Sequence, residues 1–256
     1  MNSIETYNWL KKHKQFIPGK KGSIISIGSW GDPFPESAYL YTLDYIKEMV
    51  KFGNPIQIST KYAMSDTLLT ELLKIPSQKN QIVLSTSITT FKLWKQIEPC
   101  ADSPIARLQS LSKLYGSKIR TNLFIKPFIF GITSEEVKEF NLNLRIYNID
   151  TCVVGVFYWN KHIINKMRKI GLIFPEFEDI IKNQSVTNQL VCLPNSSYQT
   201  YYGTALKSFV EQIKSAGPKI FKNITCVSSN SLHVKHACRL WEDDPLKLCV
   251  KCGNCF

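Results

Sequence analysis

Three cysteines near the end of the chain have the residue type and spacing that most clearly suggest chemistry. They are Cys249, Cys252 and Cys255, in the sequence CVKCGNC. Thiolates three residues apart can bind one metal centre, as the first three ligands of a ferredoxin-type [4Fe-4S] cluster do. Cys238 is the candidate fourth ligand, with His236 or His233 as alternatives. We therefore expect an iron–sulfur cluster in this tail, with zinc as the alternative metal.

A second group of candidate residues follows segments that have the composition of buried β-strands. In SIISIGSWGDPFPE, an apolar segment runs into Gly28, Ser29 and Asp32. Lys61 directly follows IQIST, and Ser87 lies within IVLSTSI. Glycines let a ligand approach the backbone, whereas carboxylate, ammonium and hydroxyl groups can bind its polar atoms. These residues are therefore candidates for a small-molecule site.

A repeated strand–helix pattern between residues 23 and 158 determines where these candidates lie. Five apolar, β-rich segments occur there, and segments with helical periodicity separate them. Strands that are apolar on both faces are typical of a parallel sheet covered by helices. We predict an α/β fold whose sheet is either open or curved into a full or partial barrel. In both arrangements ligands bind at the carboxyl ends of the strands, where the candidate residues occur.

The second half of the chain is less regular. We predict a helix over 162–185 with a break at Gly171, a helix over 198–216, and a late strand at KNITCVSS. The chain then divides into four parts. They are a basic segment 1–22, a barrel core 23–160, an α/β part 161–230 that completes the barrel, and a metal-binding tail 231–256.

The segment EPCADSPIAR is predicted to be a loop that leads into a helix. Ser103 has the residue type of a helix cap, as has Ser65 at the start of SDTLLTELLKI, and Pro104 suits the first helical position. Arg107 either contacts a ligand directly or pairs with Asp102 or Glu98 and fixes the loop. The sequence leaves both roles open.

Taken together, these segments resemble the radical S-adenosylmethionine superfamily, in particular its spore photoproduct lyase-like branch. The resemblance is carried, in chain order, by SIISIGSWGDPFPE, IQISTK, IVLSTSI, IEPCADSPIARLQSL and NLFIKPFI. It covers roughly residues 23–131, and a run of linked motifs is more specific than any single one. The resemblance implies a partial (β/α)6 TIM-like barrel with a [4Fe-4S] cluster and S-adenosylmethionine at its open mouth.

The resemblance also implies roles for individual residues. Residues 28–32 would approach the amino group of the methionine moiety of S-adenosylmethionine. Lys61 and Ser87 would face the ribose or carboxylate of the cofactor, and Arg107 belongs to the same cofactor-binding set. Electron transfer from the cluster would cleave the cofactor to a 5′-deoxyadenosyl radical, which takes a hydrogen atom from the substrate.

Two departures from the family pattern bear on this chemistry. The family binds its cluster through CxxxCxxC, and no cysteine precedes Cys100 in this sequence. Either the chain lacks the first strand and its cluster loop, or it is a natural variant with different chemistry. Ser29 stands where spore photoproduct lyase has its hydrogen-donating cysteine. Because a hydroxyl O–H bond is too strong to replace a thiol, we do not expect thymine-dimer repair by the usual mechanism.

Composition adds expectations about partners and location. The net charge of +12 favours polyanions such as DNA or RNA, bound through the basic surface. The basic stretches KKHKQFIPGKK and NKHIINKMRK lie beside Phe16 and Trp159, which are candidate base-stacking residues. The sequence has no apolar run long enough for a bilayer and no signal peptide, so we expect a cytoplasmic protein without a membrane partner.

Three functions are compatible with these observations. The first, which we favour, is a radical S-adenosylmethionine-type enzyme, divergent or incomplete at its N-terminus, with an auxiliary C-terminal cluster and a nucleic-acid substrate. A partner protein would then supply electrons or the missing cluster. The second is a non-catalytic module of the same fold that binds nucleic acid or a partner protein, with zinc or iron–sulfur in its tail. The third is a conventional α/β transferase with Asp32 or Glu36 as its base.

Overall fold

The computed structural model describes residues 1–155, 157–172, 191–192, 197–221 and 223–233. The candidate metal ligands Cys238, Cys249, Cys252 and Cys255 lie outside the described residues, and so does His236. His233 is described and ends a helix. The strand-end candidates all lie within the described residues.

Six parallel strands form the main sheet, and they lie in it in the order of the chain. They are β1 (Ile25–Ile27), β2 (Ile56–Thr60), β3 (Ile82–Ser87), β4 (Arg120–Ile125), β5 (Thr151–Val154) and β8 (Lys219–Phe221). Two short strands, β6 (Tyr158–Trp159) and β7 (Val191–Cys192), pair antiparallel. Sequential parallel strands joined by helices form a partial TIM-like barrel. The predicted α/β class and the five strands expected between residues 23 and 158 are confirmed.

Nine helices accompany the strands in the described residues, the first before β1, the last after β8 and the others in the connections. They are α1 (Ser3–Lys12), α2 (Tyr39–Met49), α3 (Asp66–Lys74), α4 (Trp94–Ile97), α5 (Pro104–Ser112), α6 (Val137–Ile146), α7 (Lys161–Lys169), α8 (Ser197–Lys214) and α9 (Ile224–Leu232). Short 3-10 helices occur at Val50–Phe52 and Thr133–Glu136. Among the described residues, no helix has the length and apolar character that crossing a membrane requires.

Local sequence signals account for where several helices begin. Ser65 Oγ accepts a hydrogen bond from Leu68 N at 3.2 Å, and Ser103 Oγ accepts one from Ala106 N at 3.2 Å. Pro104 occupies the first turn of α5, where its missing N–H costs nothing. These caps satisfy backbone donors that the first turn leaves unpaired, so both helix starts are confirmed.

The predicted late strand at KNITCVSS is wrong. The strand lies earlier, at Lys219–Phe221, and Ile224–Leu232 forms a helix. Asn223 caps that helix by accepting a hydrogen bond from Thr225 N at 3.1 Å. The β-branched residues after the cap therefore extend a helix, because capping and tertiary packing outweigh their strand propensity.

The two faces of the sheet differ in what covers them. Ile58, Leu84 and Leu123 point to the outer face and belong to the main hydrophobic core beneath the surrounding helices. On the inner face, Val83 and Val153 belong to a smaller apolar cluster with α9. The helix α9 covers part of this inner face and contacts β2, β3 and β8. Towards the carboxyl ends of the strands the inner face is open and forms a cavity.

Candidate functional site

A cavity of about 480 Å³ opens at the carboxyl ends of the first four strands. Its volume lies within the range of small-molecule sites. Five of the six sequence-predicted cofactor residues line it, namely Gly28, Ser29, Asp32, Lys61 and Ser87. The cavity is completed by Ser26, Gly31, Gln57, Ile58, Ser59, Thr60, Phe124, Lys126 and Ile224. The sixth predicted residue, Arg107, does not line this cavity.

The loop after β1 is held in place by one glycine and one carboxylate. Gly28 has a φ of +93°, and a Cβ there would lie 2.3 Å from the carbonyl oxygen of Ser59. Asp32 Oδ1 accepts a hydrogen bond from Thr60 Oγ1 at 2.7 Å, and its Oδ2 accepts one from Lys61 N at 2.6 Å. The loop is therefore fixed to the end of β2 with Gly28 packed tightly against the next strand.

A buried carboxylate holds the ammonium group of Lys61 at the cavity. Lys61 Nζ lies 2.8 Å from Glu98 Oε1, and Arg107 Nη1 lies 2.9 Å from Glu98 Oε2. Arg107 is fully buried and also donates to the carbonyl oxygens of Ser87 and Asp102. The contacts that Arg107 makes among the described residues are therefore with protein groups. They correspond to the loop-fixing role, one of the two roles that the sequence left open. Because Arg107 already balances the charge of Glu98, Lys61 can pair with a ligand anion.

The ends of β3 and β4 supply the facing wall. Ser87 Oγ donates to the carbonyl oxygen of Lys126 at 3.0 Å and retains a lone pair that can accept a further hydrogen bond. The side chain of Lys126 is exposed, and within the described residues it forms no ion pair. Ser26 Oγ and Ser29 Oγ are 2.8 Å apart on the opposite side. The cavity therefore has hydroxyl groups on both walls and a second ammonium group at its edge.

Sequence reasoning missed Gln57, which the structure places in the cavity lining. Its Oε1 atom is buried and has no hydrogen-bond partner within the described part of the chain. An unpaired buried acceptor is costly, so a ligand donor at this atom would stabilise the site. The alternation in IQIST is the signal that could have identified it. Gln57 and Ser59 share one face of β2, and the isoleucines share the other.

The three cysteines whose side chains the structure describes do not line the cavity. Cys100 is exposed, while Cys152 and Cys226 are buried in the sheet region. Burial raises the pKa of the Cys152 thiol far above its usual value, and Asp150 raises it further, so this thiol remains protonated. The described residues contain no group of three or more metal-binding side chains. They do not fit an iron–sulfur cluster at the cavity.

Comparison with known proteins assigns the fold. No protein-family model matches the sequence, and no curated protein matches it. Among solved structures, spore photoproduct lyase complexed with dinucleoside spore photoproduct superposes with a TM-score of 0.58 at 13% identity. The chain shares the fold of a part of spore photoproduct lyase. A double mutant of this enzyme with bound AdoMet and dinucleoside spore photoproduct gives a TM-score of 0.57 at 14% identity.

The likeness to spore photoproduct lyase extends over most of this chain and a smaller part of the enzyme. In both comparisons it covers 85% of this chain and 64% of the enzyme chain. At 13 to 14% identity, the likeness establishes a common fold. Activity has to be argued from the site itself, because one fold supports many functions.

Proposed function

We propose that this chain is a radical S-adenosylmethionine-type enzyme that binds S-adenosylmethionine in the strand-end cavity. One observation carries the proposal. Lys61, Asp32 and Gln57, which carry an ammonium group, a carboxylate and an amide, line one cavity, and the amide oxygen of Gln57 is buried without a hydrogen-bond partner among the described residues. The fold around that cavity is shared with an enzyme whose solved structure contains bound AdoMet.

The chemistry of these groups fits the parts of S-adenosylmethionine. Lys61 would bind the cofactor carboxylate, since its ammonium group lies at the cavity and Glu98 has a second cationic partner. Asp32 would bind the amino group, because Oδ2 accepts only the bond from Lys61 N among the described residues. Gln57 Oε1 would accept a hydrogen bond from a ribose hydroxyl or from the adenine amino group.

A bound [4Fe-4S] cluster would supply the electron for reductive cleavage of the cofactor. The described residues do not fit such a cluster at the cavity. We assign an auxiliary cluster to the tail 231–256, on the spacing of its cysteines, with zinc as the alternative. The four-part division of the chain belongs to the same proposal, as does a protein partner that supplies electrons or the missing cluster.

A nucleic acid is the proposed substrate, because the mouth of the cavity presents an aromatic ring and a cation. Trp30 lies between two lining residues, Ser29 and Gly31, and its side chain is fully exposed. Lys126 is exposed at the same cavity. An exposed indole can stack on a base while an ammonium group binds the adjacent phosphate. The net charge of +12 favours the same partner.

Substitution of Lys61 tests cofactor binding directly. We expect Lys61→Met to weaken S-adenosylmethionine binding roughly tenfold, the effect of losing one charged hydrogen bond. The fold should persist, because Arg107 continues to pair with Glu98. Isothermal titration calorimetry of the anaerobically purified protein measures the affinity, and circular dichroism checks the fold.

Lys113→Met is the matched control, because Lys113 is half-exposed and pairs with Asp66 away from the cavity. It should bind the cofactor as the unsubstituted protein does. Equal affinity of the Lys61 and Lys113 variants, or no binding by any form, would contradict the proposed site.

The second candidate function is a non-catalytic module, which the lack of a cysteine in the cavity lining of the described chain favours. Anaerobic reconstitution with iron, sulfide and a reductant distinguishes the two functions. The enzyme should convert S-adenosylmethionine to 5′-deoxyadenosine. Cofactor binding with a formed cluster but without that product would favour the non-catalytic module.

Metal analysis tests the tail separately. We expect the purified protein to contain iron and acid-labile sulfide, and combined Cys249→Ala, Cys252→Ala and Cys255→Ala substitutions should remove most of both. Cys100→Ala is the control, since Cys100 is an exposed cysteine outside the tail. Zinc in place of iron would select the alternative metal, and unchanged metal content in the triple variant would rule out these ligands.

A further inference from the structure

The N-terminal segment carries lysines that lack acidic partners among the described residues. They are Lys11, Lys12, Lys14, Lys20 and Lys21, and all five side chains are exposed. The only acidic residue in the first 23 positions is Glu5, which is engaged with Asn2 in the cap of α1. By contrast, Lys51 and Lys74 on later segments pair with Glu48 and Glu71. The N-terminal segment therefore presents a concentrated positive charge that no acidic side chain of the described residues neutralises.

Aromatic rings lie within the same group of lysines. The indole of Trp9 is half-exposed, and its centroid lies 4.8 Å from that of the His13 ring. A shallow groove of about 470 Å³ is lined by these two rings together with Lys12, Lys14 and Gln15. An exposed ring flanked by ammonium groups is the arrangement that binds bases and phosphates together. We call the surface formed by Trp9, Lys11, Lys12, His13, Lys14, Lys20 and Lys21 the basic N-terminal surface.

The loop that carries Lys20 and Lys21 is held rigidly. Asn54 is fully buried, and its Nδ2 donates to the carbonyl oxygens of Ile17 and Ser23 at 2.8 and 2.6 Å. Its Oδ1 accepts a hydrogen bond from Gly19 N at 2.8 Å. A preformed surface loses less conformational entropy on binding than a flexible tail does.

This surface lies at the amino-terminal ends of the strands, whereas the cavity lies at their carboxyl ends. The loop anchored by Asn54 directly precedes β1, and Asn54 itself lies just before β2. Tyr7 and Phe16 both pack on Phe52, which also precedes β2, so α1 and the segment after it lie near the amino-terminal ends of the strands. The cavity is formed at the carboxyl ends of the same strands. The basic N-terminal surface is therefore a second contact region, separate from the candidate cofactor site.

We propose that the basic N-terminal surface binds single-stranded nucleic acid, with its lysines on phosphates and Trp9 stacked on one base. A membrane surface fits less well. Ile4 and Trp9, the exposed apolar residues within α1, lie about 140° apart around the helix and form no common stripe. The arc between them is occupied by the polar residues Glu5, Asn8 and Lys12, whereas Tyr7 and Leu10 lie on the other side of the helix and pack against the core. Binding at this surface would not require S-adenosylmethionine.

Fluorescence anisotropy with a labelled 20-nucleotide single-stranded oligonucleotide tests the proposal in the full chain. Combined Lys11→Ala, Lys12→Ala and Lys14→Ala substitutions should reduce the slope of log affinity against log salt by about 2, since each phosphate contact on a single strand contributes roughly 0.7. Trp9→Ala should weaken binding roughly tenfold at constant salt, because one stacked base is lost.

The matched control removes the same charge from paired lysines, as Lys47→Ala, Lys51→Ala and Lys74→Ala. It should leave the salt slope nearly unchanged. Equal losses in both triple variants would show a general charge effect and overturn the proposal. Unchanged affinity of Trp9→Ala, duplex binding as tight as single-strand binding, or preferential binding to vesicles containing phosphatidylserine would overturn it as well.

Calorimetry with S-adenosylmethionine should give the same affinity for both triple variants, which separates this surface from the cofactor site.

Discussion

Glu98→Ala should lower the free energy of unfolding by about 3–5 kcal/mol, because it leaves a fully buried guanidinium without its carboxylate. Arg107 has no exposed surface, and its Nη1 atom pairs with Glu98 at 2.9 Å. Its Nη2 atom is already buried without a hydrogen-bond partner in the described part of the chain. Loss of the carboxylate would therefore leave the charge balanced only by carbonyl dipoles. Urea unfolding, followed by circular dichroism, measures the change.

Two comparison variants show whether the buried pair is responsible. Lys61→Ala removes the other cation from Glu98, but the lysine side chain is about half exposed to solvent, so the loss should be below about 1 kcal/mol. Glu71→Ala removes a surface carboxylate that pairs with Lys74, and stability should change little. If Glu98→Ala were no more destabilising than Glu71→Ala, the network around Arg107 would not contribute to the fold in the way its geometry indicates.

The contrast between Glu98 and Lys61 separates folding from binding at this site. Glu98 and Arg107 lie behind the cavity wall and join the loop before α5 to the end of β3. Lys61 extends from this network to the cavity, where its side chain is about half exposed. We therefore expect substitutions of Glu98 to act mainly on stability and substitutions of Lys61 to act mainly on ligand affinity.

Gly28→Ala should weaken S-adenosylmethionine binding by at least about tenfold and also destabilise the protein. The residue has a φ of +93°, which is strained for any residue with a Cβ by roughly 1–3 kcal/mol. The added methyl group would lie 2.3 Å from the carbonyl oxygen of Ser59, so the loop after β1 would have to move. That movement would displace the hydrogen bonds of Asp32 that shape the cavity. Calorimetric titration and thermal unfolding measure the two effects.

Gly31→Ala is the matched control for this prediction. Gly31 lines the same cavity, but a Cβ there would meet no atom within 4 Å. Its φ also lies outside the positive range, so alanine fits without strain. We expect its stability and cofactor affinity to match those of the unsubstituted protein. Equal effects of the two substitutions would show that the close approach of Gly28 to β2 does not shape the site.

Much of the fold could be predicted because its signals are local. Apolar strand segments, helical periodicity and the caps at Ser65 and Ser103 lie within a few residues of the elements they specify. The alternation of strands and helices predicts a parallel sheet. Because the carboxyl ends of parallel strands lie at the same end of the sheet, Gly28, Asp32 and Lys61 are expected close together there, as observed. The helix at Ile224–Leu232 was missed because its β-branched residues resemble a strand and only Asn223 signals the cap.

The sequence by itself determined the α/β units, the starts of α3 and α5, and the glycine and carboxylate after β1. Only the tertiary structure decided which face of β2 meets the cavity, and so that Gln57 lines it. It also paired Arg107 with Glu98 and placed the N-terminal lysines near the amino-terminal ends of the strands, away from the cavity. The physical reason is the range of the interactions. Caps and periodicity act between neighbours in the chain, whereas charge pairs, strand register and inner-face packing join residues that only folding brings together.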